Sequence, residues 1–111
     1  MQNYRAGDIV ELMFPFQEVK GKKIRPALVV KDYGKTLAVL KITSQHKGRK
    51  WDIEIPKDDF NGLAKNSVIQ ADSYIELDKT ELCQVIPRGA INPIQLGIVK
   101  QRLEEYLRTI E

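Results

Sequence analysis

Apolar residues come in short runs along most of the chain and change to a spacing of three and four near the C-terminus. The runs predict strands and the later spacing predicts a helix. Asp8–Phe14 (DIVELMF) reads as the first strand, ended by Pro15, which has no N–H for a ladder. Phe16–Lys23 is a polar loop. Pro26–Asp32 (PALVVKD) is a mostly apolar, central second strand, and Thr36–Thr43 returns beside it as the third. The Tyr33-Gly34-Lys35 turn between them uses a glycine free to take positive φ. Ser44–Lys50 (SQHKGRK) is a second polar loop. In Trp51–Ile55, Trp51, Ile53 and Ile55 alternate with Asp52 and Glu54, as in a half-buried strand. Pro56–Phe60 reads as one helical turn and Asn61-Gly62 as a reverse turn. Ser67–Ala71 and Tyr74–Leu77 read as strand bent near Asp72-Ser73, and Leu82–Ile86 as the last strand.

The helix has the clearest pattern. Asn92 can cap it, Pro93 suits its first turn, and Gln95 stands at the capping-box position. Leu96, Val99, Leu103, Tyr106/Leu107 and Ile110 form one apolar stripe. Short antiparallel strands followed by one helix predict a mainly β (α+β) fold, a small β-barrel or curled sheet with the helix packed on it. Residues 1–111 read as a single domain, a size that supports one core without disulfides or metal.

Charge adds what the pattern lacks. The net charge is only +3, but Lys20–Lys50 holds ten basic residues against one acid, Asp32. That segment carries +9 and the rest of the chain −6. Such segregation points to one face made for a polyanion. Cys83 is the only cysteine, so no internal disulfide or cysteine-based zinc site is possible. A buried small hydrophobe is its expected role. Met1–Asp8 has no apolar signal region and no run approaches a membrane span, so a reducing cytoplasm without membrane attachment is expected.

RNA carries its own nucleophile, the 2′-hydroxyl. A protein that cuts it needs to hold that oxygen in line with phosphorus, move two protons, and place positive charge on the phosphoryl oxygens. No metal or other cofactor is required, and the carboxylates here lack metal-ligand spacing. Lys23-Ile24-Arg25-Pro26 opens the second strand, and Lys41-Ile42-Thr43-Ser44-Gln45 closes the third. If these strands pair as a hairpin, Arg25 and Thr43 share one end of the sheet. A guanidinium fork beside two hydroxyls makes a phosphate site. Each residue alone also has a plain reading, as a surface arginine or a strand terminator. Trp51, Phe14, Phe16 and Tyr33 offer stacking surfaces, although Trp51 and Phe14 fit core positions better.

Gly7-Asp8-Ile9-Val10, Phe14-Pro15-Phe16 and Lys23–Val30 together resemble the opening of the MazF/PemK toxins, the ribonuclease half of bacterial type II toxin–antitoxin pairs. Ile42-Thr43-Ser44-Gln45 resembles the family's second motif. Ser67–Asp72 followed by Ile75–Lys79 resembles its third, with order and intervals agreeing over about residues 6–108. The resemblance implies an SH3-like barrel, a homodimer, and sequence-selective cleavage of single-stranded RNA to a 2′,3′-cyclic phosphate. It also implies nucleic-acid binding that extends to DNA, and inhibition by a cognate antitoxin whose tail fills the RNA groove. Position by position, Arg25 matches the catalytic arginine, Thr43 the catalytic threonine or serine, and Asp72 an acid that some members use. Phe16, Lys20, Lys22, Lys23, Ser44, Gln45, His46, Lys47, Arg49 and Gln70 make up the expected RNA-binding set.

Two departures stand out. Gln70 occupies a position where some members carry arginine, and Phe16–Lys23 holds no histidine. Asp72 is therefore open between a catalytic and a structural role, and His46 reads best as an exposed loop residue. Arginine stays protonated far above neutral pH, so Arg25 reads as a charge stabiliser rather than a base. The sequence assigns no group to take the 2′-hydroxyl proton. Two other function classes compete: a non-catalytic barrel that only binds nucleic acid or protein, and a CcdB-like gyrase poison. The latter depends on a tryptophan near the C-terminus, whereas the only one here is Trp51.

Overall fold

The computed structural model describes residues 3–12, 24–82 and 85–110. Among these residues seven strands precede one helix: β1 (Asp8–Leu12), β2 (Arg25–Asp32), β3 (Thr36–Thr43), β4 (Asp52–Ile55), β5 (Ser67–Gln70), β6 (Ile75–Asp78), β7 (Val85–Ala90) and α1 (Pro93–Thr109). All described pairings are antiparallel, in the order β4-β5-β3-β2-β1-β7, with β6 also on β3. The first half of β3 pairs with β6 and its last two residues with β5. One long strand thus serves two partners, and the sheet curls around it without β4 meeting β7. This is the expected mainly β, barrel-like class with a C-terminal helix.

The uninterrupted apolar runs explain the position of β2 and β3. Ala27–Val29 and Leu37–Leu40 are fully buried, so both faces of these strands are covered. One face packs Val10, Leu12, Ala27, Val29, Leu37, Val39 and Leu77 inside the curl. The other packs Ile9, Leu28, Leu40, Ile42, Ile55, Ile69 and Ile91 against Val99 and Leu103 of α1. Asn92 and Gln95 make the full capping box, with the Gln95 N–H donating to Asn92 Oδ1 at 2.8 Å and the Asn92 N–H to Gln95 Oε1 at 3.1 Å. Leu96, Tyr106 and Leu107 pack beside the core. Ile110, expected on the same stripe, is 63% exposed beyond the last full turn.

Several boundaries differ from the sequence expectation. The last strand is Val85–Ala90 rather than Leu82–Ile86 and runs through Pro87 and Gly89. It is the outermost strand on its side, where a missing N–H costs no ladder bond. Pro56–Phe60 is not a helical turn. The Asp58 carboxylate accepts the N–H groups of Phe60 and Asn61 at 2.8 and 2.7 Å, so a side chain takes donors a helix would use. The buried Asn61 then ties the connection together by accepting from Asp58 and Leu63 and donating to the Pro56 carbonyl. Trp51 lies just before β4, half-buried edge-on against Tyr106 at 5.5 Å between centroids. The bend near Asp72-Ser73 is a single 3₁₀ turn, Ala71–Ser73. The predicted Phe16–Lys23 loop, Phe14 and Cys83 lie outside the described residues.

Candidate functional site

Register decides where the hairpin brings its polar ends. β2 pairs with β3 through Ala27–Lys41, Leu28–Leu40 and Val29–Val39, with Val30 bulged out. Continuing that ladder by two residues sets Arg25 opposite Thr43. Both line one cavity of about 590 Å³, with Ser44 and Gln45 beside them. Ile24, Pro26 and Ile42 supply apolar surface, Gly62–Lys65 and Ser67 another wall, and Glu11 with Arg88 the side toward β1 and β7.

The groups suit an anion. Arg25 is exposed at the strand end, and among the described residues no ion pair engages it. The Gln45 N–H donates to Thr43 Oγ1 at 3.2 Å, which fixes the hydroxyl oxygen and leaves its proton able to point into the cleft. Arg88 pairs with Glu11 at 2.8 Å, and this contact raises the Arg88 guanidinium above its ordinary range. Glu11, Arg88 and Lys65 escaped sequence reasoning. Glu11 and its partner Arg88 lie 77 residues apart, so no local pattern links them.

The remaining expected residues lie elsewhere. Asp72 does not line the cleft but pairs with Arg49, while its other carboxylate oxygen is buried with no hydrogen-bond partner among the described residues. His46 donates from Nε2 to the Asn66 carbonyl at 3.0 Å and also lies outside the lining. Gln70 is half-buried on β5 opposite Asp52, and its carbonyl accepts the Ser73 hydroxyl. Lys47 is exposed on the second loop. That loop is anchored by Arg49–Asp72, by His46–Asn66 and by Arg102 donating to the Lys50 carbonyl. Phe16, Lys20, Lys22 and Lys23 lie outside the described residues. Among the described residues, no three His, Cys, Asp or Glu side chains are placed to hold a metal ion, and no helix is long and apolar enough to cross a membrane.

Residues 5–107 match the family of PemK-like, MazF-like toxins of type II toxin–antitoxin systems. The fold is also that of several solved structures. MazF from Deinococcus radiodurans is 24% identical, with 92% of this chain and 94% of that one covered at a TM-score of 0.74. An endoribonuclease in complex with its cognate antitoxin, from Mycobacterial species, is 15% identical, with 95% of each chain covered and a TM-score of 0.71. A Mycobacterium tuberculosis MazF toxin is 19% identical, with 91% and 96% covered and a TM-score of 0.69. No significant match is found among curated protein sequences.

Proposed function

Because the chain belongs to the PemK-like, MazF-like toxins of type II toxin–antitoxin systems, we propose that it is an endoribonuclease acting on single-stranded RNA in the cleft between Arg25 and Thr43. The observation that carries this reading is the shared cleft itself, which holds a guanidinium that no ion pair engages among the described residues, the hydroxyls of Thr43, Ser44 and Ser67, and two further cations, Lys65 and Arg88. Arg25 stabilises the charge that develops on the phosphoryl oxygens. Thr43 and Ser44 donate hydrogen bonds to the same group and fix its orientation. The 2′-oxygen attacks phosphorus, the 5′-oxygen departs, and a 2′,3′-cyclic phosphate remains.

Selectivity among RNA sequences comes from the loops that border the cleft, with Gln45, Lys47 and Arg49 on one of them. Asp72 acts structurally in this scheme, holding Arg49 and through it the second loop. The partner is a cognate antitoxin, as in the complex of the similar Mycobacterial endoribonuclease, and its flexible tail competes with RNA for the cleft. The protein works as a cytoplasmic homodimer, with residues 1–111 as one domain.

The test is cleavage of mixed-sequence RNA by purified protein in the presence of a chelator. Arg25→Ala should lower the rate by about 10²–10³-fold. A 2′-deoxy sugar at the cut position should block the reaction, and cutting of that substrate would exclude the internal-nucleophile route.

A further inference from the structure

Within a cleft of cations and hydroxyls, Glu11 is the one carboxylate among the described lining residues. Its neighbours Val10 and Leu12 are buried inside the curl, so alternation along β1 sends Glu11 to the opposite face, opposite Pro26 of β2. Its side chain is 28% exposed, open to a ligand yet held by Arg88 at 2.8 Å.

The Arg88 end of that pair is built into the backbone. Between the pairs Ile9–Gly89 and Val10–Pro87, Arg88 is the extra, bulged residue of β7. A bulge re-aims a side chain. The bulge is locked from outside by the turn at 59–62, because the Ala90 N–H donates to the Phe60 carbonyl. A Cβ on Gly89 would lie 2.1 Å from the Phe60 oxygen, and one on Gly62 would lie 2.3 Å from the Arg88 oxygen.

We infer that Glu11 is the general base that takes the 2′-hydroxyl proton, with Arg88 as the cation that positions it. The inference rests on reading the cleft as an RNA-cleavage site. The other candidates among the described residues, His46 and Asp72, both lie outside the lining. Arg25 and Arg88 stay protonated and cannot accept a proton at neutral pH. Among the described residues, the charged groups sharing the cleft with Glu11 are Arg25 of β2, Lys65 of the connection before β5, and Arg88 of β7. In the step, the carboxylate takes the 2′-hydroxyl proton and the 2′-oxygen forms its bond to phosphorus. The bond from phosphorus to the 5′-oxygen breaks with its electron pair, that oxygen takes a proton from water, and Glu11 returns its proton to solvent.

The experiment measures kcat/KM against pH on an RNA oligonucleotide bearing one cut site mapped with the wild-type protein. Melting and binding of a 2′-deoxy analogue are measured beside it. Glu11→Gln should lose about 10²–10⁴-fold in kcat/KM, abolish the acidic limb of the profile, and still bind the analogue. Glu11→Asp, which keeps the charge but shortens its reach, should lose about 10²-fold with little change in melting, and it carries the test if Glu11→Gln fails to fold. Arg88→Gln breaks the same ion pair but should lose less and keep the acidic limb. Near wild-type rates in Glu11→Gln or Glu11→Asp would overturn the assignment. So would equal losses in Glu11→Gln and Arg88→Gln with the acidic limb retained, since that pattern belongs to a purely structural pair. A wild-type protein that cuts no RNA defeats the nuclease reading first.

Discussion

The β2–β3 hairpin keeps a charged residue near each end, and the two are treated in opposite ways. At the turn, Asp32 accepts both the Tyr4 and Gly34 N–H groups and receives Lys79 Nζ at 2.8 Å on each carboxylate oxygen. The side chains of that ion pair are only 9% and 6% exposed. At the open end, Arg25 is exposed, and no ion pair among the described residues engages it. One end spends its polar groups on fixing the register. The other then presents its groups at a spacing that the first has already fixed.

Breaking the closed end should have the largest effect. Asp32→Ala leaves Lys79 without its carboxylate in a nearly solvent-free position and should cost about 3 kcal/mol, at the low end for buried pairs, as read by denaturant unfolding. Acid sharpens the same contrast. Burial opposes ionisation of Asp32, but Lys79 and the N–H groups of Tyr4 and Gly34 outweigh it and hold its carboxyl below the usual range. A depressed folded value contributes stability above the unfolded value, so this part of the stability should disappear as pH falls below 3.8. In Asp32→Ala that part of the loss should be missing. Gly34, at φ +89 with open space around its Cβ position, should cost about 1 kcal/mol on change to alanine, from backbone strain alone. The smallest stability effect belongs to Arg25→Ala, within about 0.5 kcal/mol, despite its large effect on cleavage. A large loss of stability in Arg25→Ala would erase the distinction between the two ends.

Local chemistry was legible where it was short-range. The Asn92/Gln95 box, the Gly34 turn and the Asp72-Ser73 bend each depend on neighbours within a few residues, and each stands where the sequence pattern put it. Convergence of Arg25 and Thr43 was readable because one tight turn joins their strands. Reading failed where distant residues decide. Pro87 and Gly89 suggest a strand break, yet β7 tolerates both because it is outermost and pressed against the turn at 59–62. Asp72 was recognisable as a notable acid, but its engagement by Arg49 was not, since 23 residues separate them. The Glu11–Arg88 pair was invisible for the same reason, with a bulge no residue-type pattern announces.

The closure of β7 by the 59–62 turn has a consequence for life at high concentration. A bare outer strand is a template on which another chain can zip itself. Here Pro87 withholds an N–H, and the Phe60 carbonyl already occupies that of Ala90. Any side chain larger than hydrogen at Gly89 would pry this cover away. Such a change would then reveal itself as self-association and turbidity during expression.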